Sequence, residues 1–150
     1  MAAALVAGLA ACQPSTSSTL EQSAAGLEQL SLTITATDGR SHRFTVEVAR
    51  TPEQQTQGLM DRQGLAPDRG MIFPFEVERE ASFWMKNTLI PLDIIFIRSD
   101  GTIANIEANT VPLSLEPVPS VGPVVAVLEL AGGRSAELGI TAGSKVEWQR

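Results

Sequence analysis

Two carboxylates in this sequence stand on strand faces that otherwise carry apolar side chains. In the run from Leu92 to Ile97, alternation puts Asp93 in phase with Ile95 and Ile97, while Leu92, Ile94 and Phe96 share the other face. From Val124 to Leu130, Glu129 is in phase with Val125 and Val127. A carboxylate withdrawn from water needs a cation or several hydrogen bonds. Lys86 and Arg62 are the available cations and Asn87 and Thr88 the neutral donors, so some of these are expected to gather around Asp93 and Glu129. Such a cluster can be an ion-pair network that fixes the fold, a polar pocket facing a ligand, or a catalytic acid/base pair. Carboxyl groups roughly 5 to 9.5 Å apart across an open cleft would suit glycoside chemistry.

Other residues with chemical potential surround the same stretch. Trp84 beside Phe83 can stack on a sugar or a peptide, although a large aromatic also serves as a core anchor. Met60, Met71 and Met85 offer soft thioethers of the kind that bind Cu(I), yet methionine is more often an adaptable core filler. The turn Ala131-Gly132-Gly133 before a helix start resembles an anion-binding turn but lacks the spaced glycines and Lys-Ser/Thr of a nucleotide loop. His42 is the only histidine and Cys12 the only cysteine. With so few such ligands, neither a zinc site nor a Ser-His-Asp triad has the parts it needs, and no metal or cofactor is expected. His42, next to a turn, is expected at the surface.

The string Phe83-Trp84-Met85-Lys86-Asn87-Thr88-Leu89-Ile90-Pro91-Leu92-Asp93 is the most unusual in the chain. Together with Thr51-Pro52, Gly58-Leu59-Met60, Arg62, Gly70-Met71 and Phe73, it resembles the signature of the domain-of-unknown-function 192 family. Val127-Leu128-Glu129, Gly132 or Gly133, and Leu138-Gly139-Ile140 with Gly143 fit the same pattern, so the resemblance spans roughly Thr51 to Val146. It implies a compact, mostly β domain, often exported, and supplies no established activity.

The elements that must position these residues follow from periodicity. Leu30, Leu32, Ile34 and Ala36 alternate with polar residues, and after the turn Asp38-Gly39-Arg40-Ser41 a second run places Phe44, Val46 and Val48 on one face, which predicts a hairpin. Thr51-Pro52-Glu53-Gln54 supplies a capping hydroxyl, a proline at the first helical position and a capping-box glutamine, which predicts a short helix to about Leu59. A second hairpin spans Leu92 to Ala108, where Ile103 and Ile106 break strict alternation and suggest a bulge. Further strands are expected at 124–130 and 145–148, with a helical piece around 135–138. The predicted fold class is α+β and mainly β: an antiparallel sheet or small open β-barrel with one or two short helices.

Composition and address complete the reading. A chain of 150 residues is enough for one domain, and 43% hydrophobic content is enough for its core. Eleven Lys and Arg against 17 Asp and Glu give a net charge of -6 without a basic run, which disfavours nucleic-acid partners. Residues 1–11 are uncharged and lead into Cys12, and Leu9-Ala10-Ala11-Cys12 resembles a bacterial lipobox, so 1–11 reads as a signal peptide and Cys12 as the lipidation site. Residues 12–29 read as a flexible tether and 30–150 as the globular domain. The expected location is the cell envelope, lipid-anchored, and facing the periplasm if the cell has two membranes.

The expected function is a non-catalytic binding module for a small ligand, glycan or protein partner. Its candidate site residues are Met60, Arg62, Trp84, Met85, Lys86, Asn87, Asp93 and Glu129. Two alternatives stand beside it: a hydrolase of an envelope polymer using Asp93 and Glu129 as acid and base, and a structural lipoprotein that docks on an envelope complex.

Overall fold

Alternating polar and apolar side chains build the first hairpin, in a computed structural model that describes residues 22–149. Strand β1 (Gln29–Thr35) pairs antiparallel with β2 (Ser41–Val48), setting Leu30 opposite Val46 and Leu32 opposite Phe44. The turn between them is held by Asp38, whose carboxylate accepts the Arg40 backbone N–H at 3.0 Å and its guanidinium at 2.7 Å. Helix α1 (Pro52–Gln57) has the expected capping box: Gln54 N–H donates to Thr51 Oγ1 and Thr51 N–H donates to Gln54 Oε1. It ends at Gly58, just short of the expected boundary at Leu59.

Strand β3 (Arg69–Arg79) has no counterpart among the expected elements. Pro74 interrupts it, and Glu76, Glu78 and Arg79 give its second half a charged character, so no period-two signal is visible. Its first half is nevertheless central, running parallel to β2 and antiparallel to β8 until the register shifts after Pro74. Gly70 is required there, because a Cβ would lie 2.5 Å from the Glu129 carbonyl oxygen.

The remaining elements are β4 (Ser82–Phe83), β5 (Leu92–Ile97), β6 (Ile103–Glu107), β7 (Val118–Pro119), β8 (Val124–Ala131), α2 (Arg134–Leu138) and β9 (Lys145–Trp148). The main sheet runs β6-β5-β8-β3-β2-β1-β9, and β4 pairs with β7 in a separate two-stranded sheet. The expected bulge is present: Phe96 faces Asn105 while Ile97 faces Ile103, leaving Ala104 as the extra residue. The seven strands curl until the two edges touch at a bridge between Thr102 and Lys145, supported by Val146 N–H donating to Gly101 C=O at 2.8 Å. The open-barrel expectation therefore holds, with one parallel pair in an otherwise antiparallel sheet.

Two cores lie on opposite faces of this sheet. The inner one contains Leu32, Ile34, Phe44, Ile72, Ile95, Leu128 and Val146. The outer one contains Leu59, Met71, Phe73, Met85, Ile94, Phe96 and Val127. All six residues of β5 are buried, which is why that strand is apolar on both faces.

At the end of the expected tether, Leu27 is partly buried against the outer core, Glu28 forms an ion pair with Arg50 at 2.9 Å, and Gln29 opens β1. Cys12 and the expected signal peptide lie outside the described residues. His42 is not simply exposed. Strand parity puts it in phase with Phe44 and Val46, and its Nε2 is buried without a hydrogen-bond partner among the described residues.

Candidate functional site

On β8, alternation sends Val127 and Glu129 to the outer face of the barrel. In the strand register Glu129 lies between Met71 of β3 and Ile94 of β5, both fully buried. A cleft of about 370 Å³ opens above it, with α1 and Gly58–Met60 on one side and the Ser82–Thr88 segment on the other. Glu129 and Phe73 form the floor, and Trp84, Lys86, Arg79 and Met60 reach the rim.

The walls are fixed by specific contacts. Gln55 Nε2 donates to the carbonyls of Ala49 and Pro74, both at 3.1 Å, which ties α1 to the sheet. Phe83 stands edge-on to Phe73 with centroids 5.1 Å apart, in a T-shaped pair. Met85 is the anchor of its segment, 1% exposed, with Thr110 Oγ1 donating to its sulfur at 3.1 Å. Asp61 N–H donates to Asn87 C=O at 2.9 Å, joining the two sides of the cleft beside Met60.

Glu129 is 5% exposed and makes no side-chain hydrogen bond or ion pair among the described residues. Burial pushes its pKa up from 4.5 to about 8. The two cations lining the cleft are engaged elsewhere: Lys86 Nζ lies over the Trp84 ring at 5.1 Å from its centroid, and the Arg79 guanidinium lies over Phe75 at 4.0 Å. Neither forms an ion pair among the described residues.

Asp93 has the opposite environment. It points into the barrel and is fully buried, with Oδ1 accepting from the backbone N–H groups of Asn109 and Gly133 at 2.8 Å. Its Oδ2 accepts from the Ser135 N–H at 2.7 Å. Three backbone amides thus do what a cation was expected to do. The anion at the Gly132-Gly133 turn is this internal carboxylate.

Several sequence expectations are therefore revised. Lys86 and Thr88 share the cleft with Glu129 without bonding to it, whereas Arg62 and Asn87 are not part of its lining, and none of the four is a hydrogen-bond partner of Asp93 among the described residues. Arg62 pairs instead with Glu47 of β2 at 2.9 Å. Glu47 and Glu129 flank Met71 on the same outer face; Glu47 is paired with Arg62, and Glu129 forms no ion pair among the described residues. Thr88 lines the cleft, but its hydroxyl donates to the Lys86 carbonyl at 3.1 Å, and Asn87 Nδ2 contacts Met60 Sδ at 3.9 Å.

Of the eight candidate residues, Met60, Trp84, Lys86 and Glu129 line the cleft, whereas Arg62, Met85, Asn87 and Asp93 do not. Asp93 pairs across the ladder with Leu130 and Glu129 with Ile94, which puts the two carboxyls on opposite faces. They cannot act as acid and base across one open cleft. Met71 and Met85 are buried core residues, and among the described residues no group of three or more His, Cys, Asp or Glu is placed to hold a metal. Sequence reasoning missed Arg79, Phe73, Phe75, Gln55 and Gly58 as cleft residues. Gly58 and Phe73, which stand in the family-like signature, and Phe83, next to Trp84, carried the available signals.

The family model for DUF192, described as "Uncharacterized ACR", matches residues 33–148, so it includes the first hairpin as well as the stretch from Thr51 onward. No curated protein matches the chain. Five chains of solved structure do. One is a candidate transcription regulator from Sinorhizobium meliloti 1021, 44% identical, with a TM-score of 0.79, covering 81% of this chain and 95% of that one. Another is a protein of unknown function from Novosphingobium aromaticivorans DSM 12444, also 44% identical, with a TM-score of 0.83, covering 94% of this chain and 100% of that one.

The two carboxyls are expected to respond in opposite ways to neutralisation. Asp93→Asn loses charged acceptors for three buried amides and should destabilise the fold by about 3 kcal/mol, measured by urea unfolding. Glu129→Gln should be tolerated. Because folding raises the Glu129 pKa, the folded state keeps a proton that the unfolded chain releases between pH 4.5 and about 8. That contribution to stability is complete below the lower value and is lost as pH rises through the upper one. Relative to wild type, Glu129→Gln should therefore gain stability across that range, by up to about 1.4 kcal/mol per pH unit. Unfolding curves at a series of pH values check this; a constant difference between the two proteins would refute it.

Proposed function

Because the chain belongs to the DUF192 family, whose description assigns no activity, we propose a function from the cleft itself: a non-catalytic module that binds a small ligand on the outer face of the barrel. The observation that carries this reading is the Glu129 carboxyl, 5% exposed at the cleft floor and, among the described residues, without a side-chain hydrogen bond or ion pair. A buried polar group left unpaired costs roughly 1–3 kcal/mol. A ligand that satisfies it recovers that cost, and the cleft volume of about 370 Å³ lies within the range typical of small-molecule sites. Aromatic walls supply the apolar contact and a few convergent polar groups supply orientation. Transcription regulation, suggested for the Sinorhizobium meliloti relative, is not carried over, since a net charge of -6 disfavours DNA.

The proposal keeps the envelope address. The Leu9-Ala10-Ala11-Cys12 motif after an uncharged apolar run supports lipid attachment at Cys12. The docking alternative draws support from Val111, Leu113 and Leu115 on the loop between β6 and β7, and Val121 just after β7, all more than half exposed. Leu115 and Pro117 lie beside Trp84, so that loop borders the cleft and the two uses are compatible.

Two experiments test the proposal. Thermal unfolding against glycan fragments, muropeptides and small envelope metabolites should identify a ligand class that raises Tm by several degrees. Ligand at a hundred times its Kd contributes about 2.7 kcal/mol. Glu129→Gln and Trp84→Ala should each abolish the shift while remaining folded; a shift unchanged by both would place binding elsewhere. For the address, the protein should incorporate labelled fatty acid in cells and sediment with membranes. Cys12→Ser should lose the label and become soluble, and retention of the label would overturn lipidation at that residue.

A further inference from the structure

The cleft separates its charges by depth. Its one acidic group, Glu129, is at the floor with Phe73, below a lining that includes the rings of Phe83 and, at the rim, Trp84. Its cations, Arg79 from β3 and Lys86 from the segment after β4, are exposed at the rim. The lining residues from α1, including Gln55 and Thr56, are uncharged. Aromatic π-faces together with a carboxylate favour an organic ammonium group, whereas solvent-facing lysine and arginine favour an anion.

From this ordering we infer that the ligand is a small zwitterion, bound with its ammonium against Glu129 and its carboxylate, or another anionic group, between Lys86 and Arg79. The inference rests on the cleft being a binding site and adds the chemical class and the orientation. A purely cationic ligand would meet Lys86 and Arg79 on the way in without compensation. A purely anionic ligand would be held at the rim and leave Glu129 unsatisfied.

Insertion of an ammonium group has a proton consequence. The buried Glu129 carboxyl is largely protonated at neutral pH and must ionise to form the ion pair, with its proton passing to the buffer. Lys86 and Arg79 remain charged throughout, so the release is specific to Glu129. A ligand that instead accepted a hydrogen bond from the neutral carboxyl would release none.

Titration calorimetry of the folded domain with three matched probes tests this: L-phenylalanine, phenethylamine and 3-phenylpropionate share one aromatic tail and differ only in charge. The zwitterion should bind at least about tenfold more tightly than either fragment. Its binding at pH 7 should release close to one proton, read from the dependence of the heat on buffer ionisation. Glu129→Gln should weaken L-phenylalanine and phenethylamine by about tenfold or more, eliminate the proton release and leave 3-phenylpropionate within about twofold. Lys86→Ala should reduce L-phenylalanine toward the affinity of phenethylamine. Tighter binding of 3-phenylpropionate than phenethylamine, or indifference of all three to Glu129→Gln, would overturn the inference. If none of the three binds while another compound stabilises the protein in a Trp84-dependent way, the zwitterion falls and the binding cleft stands; if nothing binds at all, both fall.

Discussion

Three neighbouring strands, β5, β8 and β3, are covered on both faces along their shared length, and this double burial governs the rest of the molecule. Apolar surface left in water costs about 25 cal/mol per Å². The sheet therefore curls on one side until β6 and β9 meet, and on the other side it is covered by Leu59 just after α1, the 81–90 segment and the β4–β7 pair. The curl makes the inner core and the cover makes the outer one. Any polar side chain placed on either face is forced into one of these interiors.

Asp93 and Glu129 show how such a constraint divides similar residues. Both sit on central strands at adjacent positions of the ladder, yet the antiparallel register turns one inward and the other outward. Inside, the N-terminal turn of α2 and the loop after β6 deliver three amide hydrogens to Asp93. Gly132 permits that approach, since a Cβ there would meet Asn109 and Pro91 at 2.8 Å. Outside, no backbone donor among the described residues bonds to the Glu129 side chain, and Glu47, across Met71 on the same face, is the acid that Arg62 satisfies. The inward carboxylate thus belongs to the architecture, and the outward carboxyl lines the cleft.

The cleft follows from the way the outer cover is assembled. Its walls come from separate stretches, α1 on one side and Phe83 to Thr88 on the other, and they converge only because each is pinned independently to β3 or the outer core. Buried Met85 holds its segment down, which leaves Trp84 and Lys86 on either side of it facing out. Rigid anchoring of a loop by an apolar residue, with polar neighbours presented to solvent, is the arrangement expected of a largely pre-formed site.

The sequence by itself determined the hairpins, the capped start of α1, the bulge near Ile103 and the parity of both carboxylates, because these depend on residues close together in the chain. It also determined that Phe83 to Asp93 is a special stretch. Only the tertiary structure decided which charge meets which: Arg62 goes to Glu47, and backbone amides go to Asp93. It alone revealed β3 as a central strand, since Pro74 and the charges after it conceal a segment whose first half is buried by partners on both sides. Face and spacing are local properties of a strand, whereas the partner of a buried charge depends on which distant element the fold lays over it.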